Sequence, residues 1–79
     1  MFVEQTDYRM ILDDDEYQVI ADNAETRRQV ERTVIEYISG YLRGRYDTDA
    51  IFAATEDDRN PQMVLMTVTM TAYRLMQSL

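Results

Sequence analysis

The sequence predicts an all-α domain, a small bundle of about four to five helices, two of them long (about residues 24–43 and 61–78) and two or three short. Three observations carry this. Two Gly and one Pro in 79 residues are too few for the many tight turns of an all-β chain. Apolar residues recur at spacings of three and four along two long segments, the period of a helix face. Residues that start or stop helices fall between those segments, at Asn23, at Asp47-Thr48-Asp49 and at Asn60-Pro61. The length allows one domain, residues 1–79.

Each element has a local reason. Thr6 is placed to cap a short helix from Asp7 to about Leu12, with Tyr8, Ile11 and Leu12 inward. Asp13, Asp14 and Asp15 crowd the start of a second short helix reaching about Ala21, with Tyr17, Val19 and Ile20 as core candidates. Asn23 opens the long helix from Ala24 to about Arg43. Its apolar stripe reads Val30, Val34, Tyr37 and Tyr41, with Ile38 and Leu42 beside it. Arg28, Arg32, Glu36 and Arg43 mark the opposite side, where Arg32 and Glu36 stand one turn apart. Gly40 inside a helix costs about 1 kcal/mol relative to Ala, which predicts a close neighbour there. Gly44 either ends the helix in a left-handed conformation or is a second close-packing point in a helix that runs on to Tyr46.

Thr48 or Asp49 is placed to cap one turn whose Ile51 and Phe52 plug an end of the core. "TEDDRNP" reads as a loop, and Asn60-Pro61 starts the last helix. That helix has two apolar stripes. Leu65, Val68, Ala72, Leu75 and Leu79 form one; Met63, Met66, Met70 and Tyr73 form the other. Thr67, Thr71, Arg74 and Ser78 make the polar edge. A surface helix of a monomer needs one stripe. Two stripes predict either a central helix or one with its own core on one side and a neighbour on the other.

A domain of this size buries only about 60–65% of its unfolded surface. Small domains commonly add a disulfide, a metal or a partner subunit. With no Cys and no His, association with further copies is the expected aid. The net charge of −7 argues against general attraction to nucleic acid or anionic membranes. Every basic residue is Arg, which suits bidentate interface contacts, although codon bias explains the same fact. The N-terminal segment has no apolar core of signal-peptide length, and residues 62–79 are too polar and too short to span a bilayer. A soluble intracellular protein is expected.

Chemistry is sparse. Without His, Cys or Lys the commonest general bases and several nucleophiles are missing, so no enzymatic activity and no cofactor is expected. Asp13 to Asp15 could resemble a metal site, but calcium loops spread their ligands over a dozen residues around a Gly, and caps are the simpler reading. Asp57-Asp58 and Asp47/Asp49 read as solvated loop acids that cap turns and pair with Arg59. Arg43 and Arg45 beside Tyr41 and Tyr46 could stack on nucleic acid, against the sign of the surrounding charge.

The order of features over Tyr41-Leu42-Arg43-Gly44-Arg45-Tyr46-Asp47, Ile51-Phe52, Asp57-Asp58-Arg59-Asn60-Pro61 and Tyr73-Arg74-Leu75 resembles the small head–tail connector (head completion) proteins of tailed phages and Mu-like prophages. The N-terminal "TDYRMIL" and "DDDEYQVIADN" are similar too, and the likeness is strongest over residues 34–76. The resemblance implies a non-enzymatic virion structural protein that forms a ring below the portal and joins the packaged head to the tail. Its implied partners are further copies of itself, portal and tail-side proteins, and DNA passing through the channel without specific binding. Its implied location is the virion, and the bacterial host cytoplasm during assembly, with no membrane contact.

The motif picks out Arg43, Arg45, Tyr46, Asp57, Asp58, Arg59 and Asn60 as residues of the helix connection and of subunit contacts. Met63, Met66, Met70 and Tyr73 add an adaptable apolar face. An Arg–Asp pair across the loop or across subunits is expected. Members of that family continue beyond the last helix, whereas this chain stops at Leu79, as either a short relative or a truncated one. The alternative from another class is an acidic helical regulator, an antitoxin or a DNA-mimic inhibitor, which would hold a basic partner through its acids.

Overall fold

The structure is a computed structural model, and it describes residues 2–78. Short polar side chains that accept backbone N–H bonds mark the start of three of its four α-helices, the longest excepted. A 3-10 turn, Gln5–Met10, starts where Asp7 Oδ2 accepts the Glu4 N–H at 2.6 Å, so the expected cap at Thr6 is replaced by a pair of residues on either side of it. Helix α1, Asp14–Asp22, opens with a reciprocal pair: Asp13 accepts from the Glu16 N–H at 2.8 Å, and Glu16 accepts from the Asp13 N–H at 3.1 Å. Helix α2, Ala24–Leu42, follows after Asn23. That side chain does not cap α2; it donates backward to the Val19 carbonyl at 2.8 Å and closes α1.

Gly44 does not end α2 in a left-handed conformation, since no glycine has a positive φ. The chain loosens through a turn in which Arg45 and Tyr46 both donate to the Leu42 carbonyl. Helix α3, Thr48–Ala53, is capped by Asp47, whose Oδ1 accepts from the Ala50 N–H at 3.1 Å. Thr48, one of two expected caps, is buried instead. Glu56 then turns at φ 52 inside a second short 3-10 turn, Glu56–Asp58. Helix α4, Pro61–Ser78, starts as the sequence predicts: Asn60 Oδ1 accepts from Gln62 N–H at 2.9 Å and Met63 N–H at 3.1 Å.

The two long helices pack together, and the N-terminal segment lies across α4 and α1. Phe2, Val3, Tyr8, Tyr17 and Ile20 from the N-terminal half meet Val64, Val68, Ala72 and Leu75 of α4 in one core. Phe2 also meets Phe52 edge-to-face at 4.9 Å, so the predicted α3 plug seals this end. The buried face of α4 runs through Val64, Thr67, Val68, Thr71, Ala72 and Leu75. Thr67 and Thr71, read from sequence as the polar edge, therefore point inward, and Leu65, read as core, is exposed. Thr67 tolerates burial because its hydroxyl donates to the Met63 carbonyl one turn back at 2.7 Å. Leu79 lies outside the described residues.

Helix α2 departs most from the sequence reading. Its buried face is Arg27, Glu31, Val34 and Ile38, while Tyr37 and Tyr41 are exposed. Glu31 is 0% exposed and Arg27 5%, with Arg27 Nε 3.3 Å from Glu31 Oε2. The Tyr8 hydroxyl donates to the same oxygen at 2.6 Å. Arg27 also donates to Gln5 Oε1 at 3.2 Å, and Gln5 donates to the Tyr17 hydroxyl at 3.3 Å. Burial pushes the Glu31 carboxyl above its ordinary 4.5, against the pull of the Tyr8 hydroxyl and the Arg27 charge. Burial, with the Glu31 charge beside it, likewise drives the Tyr8 phenol far up, so it stays a neutral donor. The expected Arg32–Glu36 pair is replaced by Arg43 and Glu36 at 3.2 Å on the surface.

This packing makes two predictions about stability. Arg27→Met strands a buried carboxylate and costs about 3 kcal/mol. The triple variant Arg27→Met/Glu31→Leu/Tyr8→Phe removes the charged pair and the phenol together and recovers most of that loss; urea unfolding of the two variants checks the order. Gly40 is exposed, and a Cβ added there would meet no heavy atom within 4 Å, so no close neighbour requires a glycine. Gly40→Ala therefore raises stability by about 1 kcal/mol, read as a higher urea midpoint with an unchanged slope.

Candidate functional site: an acid-free apolar band and a charged clamp

A helix that is apolar all round is normally buried on all sides. Helix α4 is covered on one side only. At about 100° per residue, Met66 and Tyr73 point roughly opposite the Val64–Leu75 core face. Tyr73 is 66% exposed and Met66 44%, with Leu65 exposed beside them. Met63 and Met70 are half-buried where α4 turns toward its neighbours. The apolar face expected from Met63, Met66, Met70 and Tyr73 is thus a real surface feature.

Three shallow hollows make it a continuous band. Leu42, Tyr46, Ile51, Asn60, Gln62 and Met63 line the first. Gln62 and Met63 also line the second, which continues through Met66 to Thr69 and Met70. Thr69 and Met70 pass into the third, bounded by Tyr37, Tyr73 and Arg74. On α2, Tyr37 and Tyr41 stack edge-to-face at 5.2 Å, and their hydroxyls share a hydrogen bond of 3.3 Å. That bond to Tyr37 pushes the Tyr41 phenol up from its ordinary value. No acid lines any of the three hollows, and α4 has neither Asp nor Glu, in a chain with 15 acids. Arg74 is the band's one charged residue.

The charged residues of the motif divide into two groups. Arg59 is tied down within the chain. Its guanidinium donates to both Asp7 oxygens, at 2.6 and 3.2 Å, and to the Phe2 carbonyl at 3.0 Å. Its Nε donates to the Glu56 carbonyl at 2.9 Å, which gives the left-handed turn at Glu56 a purpose: it aims that carbonyl at Arg59. Among the described residues the Arg–Asp pair expected across the loop, with Asp57, Asp58, Asp47 or Asp49, does not form; Arg59 pairs instead with Asp7 of the N-terminal turn. Asn60 is engaged as the α4 cap. Arg43, Arg45, Asp57 and Asp58 are exposed, and Tyr46 lies exposed at the head of the band. The structure thus brings Tyr46, Met63, Met66, Met70 and Tyr73 together, and sets Arg59 and Asp57 around a separate hollow with Asp7 and Met10.

Sequence reading missed Tyr37, Leu65 and Thr69 as members of the band. The signal was present, because Leu65 and Thr69 continue the Met66–Tyr73 line at helical spacing. The buried Arg27–Glu31 pair was also missed: its spacing is in register with Val34 and Ile38, but nothing local marks two charges as inward-facing. Among the described residues, no three acidic groups come together in a way that could hold a metal ion, and no helix is long and apolar enough to cross a membrane.

The clamp sets a pH dependence. Burial alone would raise the Asp7 carboxyl, but the Arg59 hydrogen bonds, the Glu4 N–H and the Arg59 charge together hold it below its ordinary 3.8. A folded value below the unfolded one means the stabilisation is full above 3.8 and is lost as pH falls below it. Asp7→Asn costs about 2 kcal/mol at neutral pH, the scale of a hydrogen bond to a charged group. Thermal melts from pH 7 to pH 2 should show the variant and the parent chain converging at the acid end.

No family model, curated protein or solved structure matches the chain.

Proposed function

We propose that the chain is a structural subunit of a phage head–tail connector, joining a portal vertex to the tail as part of a ring. The observation that supports this best is the acid-free apolar band on a small helical domain that is acidic everywhere else. Such a band is a protein-binding surface: contiguous exposed apolar area on a soluble domain marks contacts with other proteins. The part of the resembling feature order from Tyr41 to Pro61 maps onto one end of the fold, where the α2 end, α3 and the start of α4 meet around Tyr46 and Asn60, while Tyr73-Arg74-Leu75 lies further along α4.

On this reading, Arg43, Arg45 and Tyr46 with Asp57 and Asp58 contribute the polar part of subunit and portal contacts, and Met63, Met66, Met70 and Tyr73 the apolar part. The net charge of −7 suits a channel wall that DNA passes without adhering. The side chains invite no reaction chemistry. Without His, Cys or Lys the commonest general bases and several nucleophiles are absent.

The test adds purified protein to DNA-filled phage heads whose portal vertex is open. Binding is read by co-sedimentation, and DNA retention by nuclease protection. The expected outcome is saturable binding at one vertex. Arg43→Glu/Arg45→Glu weakens it at least tenfold with an unchanged melting temperature, because both side chains are exposed and the Arg43–Glu36 pair is worth only about 0–1 kcal/mol. Indifference to heads, with tight binding to a basic protein instead, would overturn the connector reading and favour an acidic regulator.

A further inference from the structure

We infer that the α4 band is covered by a second copy of this chain, α4 against α4 in an antiparallel, two-fold pair centred between Thr69 and Met70. This pairing is a different contact from the head-to-tail one a ring requires and competes with it for the same α4 residues; it rests on observations independent of the connector reading.

Charge selects the occupant first. Two copies of a −7 chain repel, and they approach most cheaply where neither presents an acid. The band is such a place: its three hollows are lined without Asp or Glu. A basic partner would be drawn to the acids of α1 and the loops, not to a face that carries Arg74.

Self-complementarity selects it again. An apolar band needs an apolar counterpart. Among the described residues, Met10 is the one large, strongly exposed apolar side chain that lies away from α4 and the tyrosines beside it. Within this chain the band therefore has one match, which is itself. A surface that matches itself pairs about a two-fold axis.

Size is consistent with this. Helix α4 has 18 residues and a length of about 27 Å. With the flanking tyrosines of α2, a face roughly 18 Å wide offers about 500 Å² per copy, so that both copies together bury about 1,000 Å², the lower bound for a specific interface. An interface of that size belongs with the weak, transient ones.

The register follows from helix geometry. The midpoint of Pro61–Ser78 falls between Thr69 and Met70. An antiparallel pair centred there sets Met66 of each copy against Tyr73 of the other, a sulfur–aromatic contact. Thr69, small and exposed, lies beside the axis where the backbones come closest.

The experiment uses the full chain, whose lack of cysteine makes a single introduced thiol unambiguous. Sedimentation velocity over a concentration series reads the association, and oxidation of Thr69→Cys reads the axis, with Arg28→Cys on the exposed side of α2 as the control. The expected result is a mass rising from one chain to two. Met66→Glu shifts the midpoint at least tenfold upward, and Tyr73→Glu does so if the first variant fails to fold. Thr69→Cys is trapped as a covalent dimer well beyond the control. A strict monomer at all concentrations would overturn the pairing, as would association that Met66→Glu leaves intact. Association lost in Met66→Glu but never trapped through Thr69→Cys would overturn the two-fold register. Head binding without this cross-link removes the pairing and leaves the connector reading standing; cross-linked dimers that ignore heads do the reverse.

Discussion

The hydroxyl of Tyr8 is the constraint from which most of the fold follows. A phenol at 0% exposure must have a partner, and Glu31 accepts its hydrogen bond at 2.6 Å. A buried carboxylate in turn requires a cation, which Arg27 supplies from one turn earlier on the same helix. Arg27 then reaches Gln5, and Gln5 reaches Tyr17, so one polar chain joins the N-terminal turn, α1 and α2. With Arg27 and Glu31 turned inward, the orientation of α2 about its axis is fixed. Tyr37 then falls about 90° from the core direction, on the side where α4 leaves its own apolar back uncovered. The exposed aromatic edge of the band is thus a consequence of a buried ion pair on the opposite flank.

The Arg59–Asp7 clamp complements this network from the other end of the chain. It ties the loop before α4 to the N-terminal turn, two segments whose sequence separation of 52 makes their closure costly in entropy. Phe2 against Phe52 seals the same junction with apolar contact. The polar network orients α2 and the clamp orients the start of α4. The angle at which the two long helices meet, and hence the shape of the band, depends on both.

The features legible in the sequence were those decided within a few residues. Asn60-Pro61 and the acids at Asp13 start helices through hydrogen bonds to nearby amides, and both were readable on sight. The bounds of α4 followed from its Asn60 cap and those of α2 from its apolar period, since Asn23 closes α1 rather than capping α2. What depended on contacts distant in sequence was not readable. Arg27 and Glu31 look like solvent-facing charges until Tyr8 and Gln5 are brought beside them. Thr67 and Thr71 look like a polar edge until one hydroxyl is satisfied along its own helix and the other lies against Tyr8. Gly40 looked like a packing point because its cost in a helix was visible and its empty surroundings were not. The band itself was half legible. The two apolar stripes of α4 announced a helix with too much apolar surface for one core, but Tyr37 was assigned to the inside.

The distribution of charge gives these two halves a common logic. Fifteen acids on a 79-residue chain keep like molecules apart over most of the surface, and the exposed run Asp13 to Glu16 does so at one extremity. A surface of that kind restricts association to wherever the acids stop. They stop on α4. An apolar face alone would be sticky without direction, and a charged surface alone would be soluble without partners. In the proposed pairing, the two together confine contact to one face and reject misaligned approaches by repulsion at its margins. Methionine suits such a face because its flexible thioether adapts to the shape it meets. Tyrosine suits the rim, where its ring packs and its hydroxyl stays in water.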